Sequence, residues 1–117
     1  MVDDLTIRLI ESGLAARALR AKVIANNIAN VNTPGFRRGE VKFEQLLDEA
    51  LRGGRTTDLQ ELTGEVLQPE NTPFNDAGSD VSLDQEVGEL IGNSAMYKTY
   101  MRVLNRMYQQ MEMAIRE

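Results

Sequence analysis

Ala25-Asn26-Asn27-Ile28-Ala29-Asn30-Val31-Asn32-Thr33-Pro34-Gly35-Phe36 is where this 117-residue chain changes character. Four asparagines fall between positions 26 and 32. Asparagine is a mediocre helix former whose side chain competes for backbone hydrogen bonds, so a helix on its own gains nothing from four of them. The stretch makes sense if the carboxamides bond something outside their own helix. Thr33-Pro34-Gly35-Phe36 fits a type II turn, with Pro34 at the second position and Gly35 at the third, where φ must be positive. Asn32 stands where it can cap the helix C-terminus. The segment therefore ends one helix and turns the chain.

Upstream, Ile7, Ile10, Leu14, Arg17, Ala21, Ile24, Ile28 and Val31 recur at three- and four-residue steps, and Arg17 alone of them is polar. This is a core stripe. A second line runs through Leu5, Leu9, Ser12, Ala16, Leu19, Val23, Asn26 and Asn30. The spacing predicts a helix over about residues 3–31 with two faces that seek neighbours. Asn26 and Asn30, four apart, share a face and continue the second line. A buried Asn in helix packing lowers stability but fixes register, so these two are read as register-setting residues between chains. Asn27 lies off that line and finds no partner in this reading.

Downstream, Leu83, Val87, Leu90, Ser94, Tyr97, Met101, Leu104, Tyr108, Met111 and Ile115 step by four and three without a slip, a coiled-coil-type seam. Ser82 with Gln85 fits a capping box, which starts this helix near residue 82. Met96, Met107, Met113, Ile91 and Val103 lie off the seam and are adaptable packing material. Between the long helices, the stretch Val41 to Leu51, with apolar residues from Phe43 at helical spacing (Leu46, Leu47, Ala50, Leu51), reads as a short helix that Gly53-Gly54 ends. Residues 55–80 are polar and turn-rich, with a brief strand or hairpin around 62–68. The fold expected is mainly α: long terminal helices packed as a coiled-coil-like hairpin, a short middle helix, and an irregular polar loop with a small β element. We read it as one unit, 1–117, divided into 1–31, 32–80 and 81–117.

Composition narrows function. The chain has no Cys and no His, which removes disulfides, thiol nucleophiles, zinc-thiolate sites, the commonest general base and the commonest metal ligand. Net charge is -5, which argues against duplex nucleic acid. The acid excess sits in residues 32–80, with ten Asp/Glu against five Lys/Arg. No nucleophile elbow, P-loop or dinucleotide fingerprint occurs. Asn75-Asp76-Ala77-Gly78-Ser79-Asp80 lacks the ligand spacing of a calcium loop and reads as a turn into the Ser82 cap. Asp84 and Glu86, in the first turn of the last helix, read as complements of its macrodipole. Arg20, Lys22, Arg37, Arg38 and Lys42 form a modest basic cluster, expected to meet acidic patches on a neighbouring subunit. No catalytic, cofactor or metal site is expected, and no small-molecule substrate. The N-terminus, with Asp3-Asp4, shows no basic region leading into an apolar one, so no secretory signal is expected.

The run Ile24 to Arg38 resembles the signature shared by flagellar rod and hook proteins, with Asn26, Asn27, Asn30, Asn32, Thr33, Pro34, Gly35 and Phe36 as its core. The segments Asn75-Asp76 and Val81 to Glu86, then Glu89-Leu90, Tyr97 and Leu104-Asn105-Arg106, are similar to the tail of the proximal-rod branch. Val41, Phe43 and Glu44 fit that branch too, and the large β-rich insertion of distal rod and hook members is missing between the terminal helices. Ser82 and Val87 depart from the usual Asp and Met but keep the cap and the seam. The resemblance covers about two-thirds of the chain, and nothing is carried over for residues 55–70. It implies a structural subunit exported through the flagellar type III apparatus without signal cleavage. Such subunits polymerise through their terminal helices into a torque-transmitting, channel-bearing rod in the periplasmic part of the basal body. The partners implied are other copies, other rod proteins, the adaptor FliE, the membrane ring and the export gate. Two other readings stay open: a soluble helical adaptor or export chaperone working through the Met-bearing face, and another proximal rod protein of the same family.

Overall fold

The computed structural model describes residues 4–53 and 64–116. Helix α1 (Asp4–Ala29) is followed by strand β1 (Glu40–Lys42), helix α2 (Glu44–Arg52), strand β2 (Glu65–Leu67) and helix α3 (Leu83–Arg116). The mainly α hairpin expected from the two long periodic segments is the architecture found. α1 and α3 lie side by side, and α1 also carries the β1–β2 ribbon. Part of the loop expected over 55–80, and Gly54, lie outside the described residues.

α3 has 34 residues, about 51 Å at 1.5 Å per residue. It sets the long dimension of a body 63 × 29 × 14 Å. The radius of gyration, 17.6 Å, compares with about 13 Å for a compact globule of this length. An elongated two-helix body has much surface and little interior. Its helical core consists of Ile7, Leu14 and Leu104, with Ile10, Tyr100, Met101 and Met107 packed against them. The helices pack tightly at Gly13, where a Cβ would stand 2.9 Å from Cε2 of Tyr100.

The short elements differ from expectation in detail. Val41 and Lys42, read as the start of the middle helix, belong instead to β1, which pairs antiparallel with β2 in the register Glu40 to Leu67, Val41 to Val66 and Lys42 to Glu65. The helix itself begins one residue after Phe43, which is buried. Its C-cap, Gly53, is right-handed with φ -77°. The strand expected within 62–68 is present at 65–67. Among the described residues, no helix is long and apolar enough to cross a membrane.

Candidate functional site

The predicted turn forms. The Phe36 N–H donates to the Thr33 carbonyl at 3.1 Å, and Gly35 has φ +79°. The turn is also a docking point for the chain just before α3. The Gly35 N–H donates to the Gly78 carbonyl at 2.8 Å and the Asp80 N–H to the Phe36 carbonyl at 3.3 Å. Ser79 Oγ donates to the Val31 carbonyl at 2.6 Å, in the turn that follows α1. The segment 75–80 is a turn built around Asn75. Its Oδ1 accepts from the Ala77 and Ser79 N–H groups, and its Nδ2 donates to Ser79 Oγ and the Val81 carbonyl. The Glu86 N–H then donates to the Ser82 carbonyl, which opens α3.

Beneath this joint lies a buried polar network that the sequence reading did not assemble. Asn27 is wholly buried. Its Oδ1 accepts from the Gly39 N–H at 2.8 Å, and its Nδ2 donates to the Gly39 carbonyl at 3.0 Å and to Glu86 Oε2 at 3.1 Å. Glu86, 1% exposed, therefore does more than complement a helix dipole. Its other oxygen accepts from Arg38 Nε at 2.8 Å. Arg38 also meets Glu40, and its backbone N–H donates to Asp80 Oδ1 at 2.5 Å. Burial pulls the Arg38 guanidinium pKa down, but its hydrogen bonds to Glu86 and Glu40 and their charge more than offset this, so it sits above its ordinary value. Arg38 stays cationic, as the buried carboxylate requires.

Further along the hairpin, Asn93 Nδ2 donates to the Arg17 carbonyl at 2.7 Å, and Arg17 Nη1 donates to Asn93 Oδ1 at 3.4 Å. The Arg17 guanidinium lies over the Tyr100 ring, 5.9 Å from its centroid. This accounts for the one polar residue on the apolar stripe of α1.

Three members of the basic cluster are engaged within the chain. Arg20 is paired with Glu44, with Nη1 donating to Oε1 at 2.7 Å. That hydrogen bond, against a smaller opposing effect of burial, holds the Glu44 carboxyl below the usual carboxylate range. Arg37 donates to the Thr72 carbonyl at 2.7 Å and lies over the Phe74 ring at 4.0 Å. For Arg20, Arg37 and Arg38 the acidic partners expected on a neighbouring subunit are supplied by the same chain, as Glu44, Asp80 and Glu86.

The remaining candidate residues are at the surface. Asn26 and Asn32 are exposed and Asn30 is half-buried. Asn30 Nδ2 donates to the Asn26 carbonyl at 2.8 Å, and Thr33 Oγ1 donates to Asn30 Oδ1 at 3.1 Å. Thr33, Pro34 and Gly35 are exposed and Phe36 is half-buried. On α3, the seam read from the sequence is mostly outside the hairpin. Leu104 is buried and Leu90 and Met101 are half-buried, whereas Leu83, Val87, Tyr97, Tyr108, Met111 and Ile115 are exposed. Ile115 on the seam is 83% exposed, and Ile91, off it, 67%. No group of acidic residues that could hold a metal ion occurs among the described residues. The arrangement offers a polar joint that fixes two helices and a long apolar face that they leave uncovered.

Comparison with known proteins matches this description. The family model "Flagella basal body rod protein" fits residues 7–37. The flagellar basal body rod protein FlgB of Bacillus subtilis is 30% identical over 109 residues, 86% of this chain and 84% of the relative. The chain belongs to the FlgB family of flagellar basal body rod proteins. FlgB of Aeromonas hydrophila is 30% identical over 113 residues, 87% of this chain and 86% of its own length. A shorter likeness, 47% over 45 residues, links 38% of the chain to 17% of the rod protein FlgG of Caulobacter vibrioides. The residues matched to the family model contain Asn27 and the Thr33–Phe36 turn but stop before Arg38 and Gly39. The partners that bury Asn27 thus lie outside that matched segment, in β1's approach and at the start of α3.

Proposed function

We propose that this FlgB-family chain is a structural subunit of the proximal rod of the bacterial flagellar basal body. In this reading residues 1–117 act as one unit that polymerises through its terminal helices. The observation that carries the reading is the uncovered apolar face of α3 on a chain whose relatives, named as rod proteins, align along most of its length. An elongated hairpin with so small a core gains stability by burying that face against neighbours. Asn26, Asn30, Asn32 and the turn stand at one end of the hairpin as packing residues between subunits. Of the seam, Leu83, Val87, Tyr97, Tyr108, Met111 and Ile115 contribute the apolar contact between subunits, flanked by half-buried Leu90 and Met101, while Leu104 holds α3 to α1 within the chain. Export without a cleaved signal, a periplasmic position, and contacts with other rod proteins, FliE, the membrane ring and the export gate belong to the same reading. The role is structural, with no catalytic step.

The experiment is complementation. Cells lacking the gene should regain motility with the native chain, and the chain should copurify with isolated basal bodies. Substituting Val87, Tyr108 and Ile115 together by Asp should abolish both without changing the helix content of the purified chain. Full motility with that triple substitution would overturn the reading.

A further inference from the structure

The line of α3 that faces α1 is not its most apolar line. Glu86, Asn93, Tyr100 and Met107 point inward at heptad spacing, the first two buried and the others half-buried. One position later stand Val87, Ser94, Met101 and Tyr108, of which only Met101 is even half-buried. Leu90, Tyr97, Leu104 and Met111 flank both lines. The two possible inward faces therefore differ by a roll of α3 of about 50°, half the angle between successive residues. Burial of apolar area alone favours the face that contains Val87, Met101 and Tyr108. α1 shows the same offset, because Asn27 is buried and its apolar neighbour Ile28 only half-buried.

Two polar anchors account for the roll. Glu86 is held by Asn27 and Arg38, and Asn27 is itself fixed by both backbone groups of Gly39. Asn93 is held by the backbone carbonyl and the guanidinium of Arg17. Rolling α3 toward its apolar seam would break both sets of bonds and move Glu86 away from its counter-charge, Arg38. A buried ion pair or amide is seldom the most stable filling of a helix interface, but it restricts the alignments that the interface accepts.

We propose that Glu86 and Asn93 are roll-setting anchors that keep the more apolar seam of α3 outside the intramolecular hairpin. Leu83, Val87, Tyr97, Tyr108, Met111 and Ile115 are then left for a second copy of the chain. That last step rests on the rod reading above, whereas the roll is a property of the single chain and is tested on it.

The chain has no Cys, so one introduced thiol is unique. Val87→Cys and Tyr108→Cys are each placed in the native background and in Arg38→Met/Glu86→Ala/Asn93→Ala, which removes both anchors together with the counter-charge and leaves the outer seam the more apolar line. Maleimide labelling rates are read beside circular dichroism. The anchorless background should keep its helix and label both positions more slowly, on the order of tenfold, as burial protects them. Unchanged rates with helix retained would overturn the proposal. If the triple variant loses its helix, Asn93→Ala alone decides through Tyr108→Cys, where slowing supports the roll and an unchanged rate refutes it. Loss of helix in both backgrounds also refutes it, because the anchors would then be needed for the hairpin itself. Assembly is scored separately, so failure of the rod reading leaves this result intact.

Discussion

The Asn27 carboxamide engages both backbone polar groups of Gly39, accepting its N–H at 2.8 Å and donating to its carbonyl at 3.0 Å. A side chain on a helix thus does what a neighbouring strand would do for the residue that leads into β1. Gly39 itself leaves little space, since a Cβ there would stand 3.0 Å from Cγ1 of Val23. Asn27→Ala would strip partners from the Gly39 N–H and carbonyl and from Glu86 Oε2, all in a buried site. Each such group left unsatisfied costs about 1–3 kcal/mol. The expected loss is about 3 kcal/mol or more, read as a lower urea midpoint, and Asn26→Ala should stay within about 0.5 kcal/mol of the native chain.

Gly35 tests the turn independently. Its φ is +79° and nothing lies within 4 Å of where a Cβ would be. Steric room is therefore not at issue, and the cost of a side chain is conformational. Gly35→Ala should lose about 1–2 kcal/mol, and Gly35→Asn less, because Asn tolerates the left-handed region. Urea midpoints of the two variants give the comparison.

Asn26 and Asn30 separate folding from assembly. Their hydrogen bonds are local, and Asn26 is exposed. Replacing both by Leu should leave the urea midpoint of the chain nearly unchanged while reducing swarming in complemented cells, because a register contact between subunits is lost. Normal motility with this double substitution would remove the intersubunit role assigned to them.

The helices, the turn and the capping position at Ser82 were legible because each rests on local chemistry: periodicity, a Pro-Gly pair, a hydroxyl before an apolar run. The roll of the helices was not. Periodicity follows apolar residues, so it selects Ile28, Val87 and Ser94, whereas Asn27, Glu86 and Asn93 face inward one position away. Their burial depends on partners distant in sequence, namely Arg17, Arg38 and Gly39, and no pattern within a single helix signals them. The excess of asparagines did signal bonds outside the helix. It did not say that Asn27, rather than Asn26 or Asn30, makes the buried ones.

Acid should weaken one visible ion pair. Arg20 holds the Glu44 carboxyl below the usual carboxylate range, so the group binds its proton more readily unfolded than folded. Its contribution is present above the unfolded value, about pH 4.3, and is lost as pH falls through the lowered folded value. The Glu44 side chain is 63% exposed, which limits the contribution to about 0.5 kcal/mol. Glu44→Gln should therefore differ from the native chain by that amount at pH 7, and the two urea midpoints should converge once the pH has fallen below the lowered folded-state value.

The Arg38–Glu86 pair gives the sharpest energetic test. The Glu86 side chain is 1% exposed and that of Arg38 13%, with Nε to Oε1 at 2.8 Å. Removing one partner leaves a charge in a site that water does not reach, at a cost of about 3–5 kcal/mol. Arg38→Met alone should therefore unfold most of the chain, given how few apolar side chains the helices bury between them. Arg38→Met/Glu86→Leu removes both charges and fills the space with apolar atoms, and should recover most of the loss or exceed the native stability. Asn27 then loses one acceptor but keeps Gly39. In a double-mutant cycle the coupling should exceed 2 kcal/mol, well above the 0.3–0.5 kcal/mol within which independent sites usually add. A double variant as unstable as the sum of its singles would mean that Glu86 is held by the joint around it and owes little to Arg38.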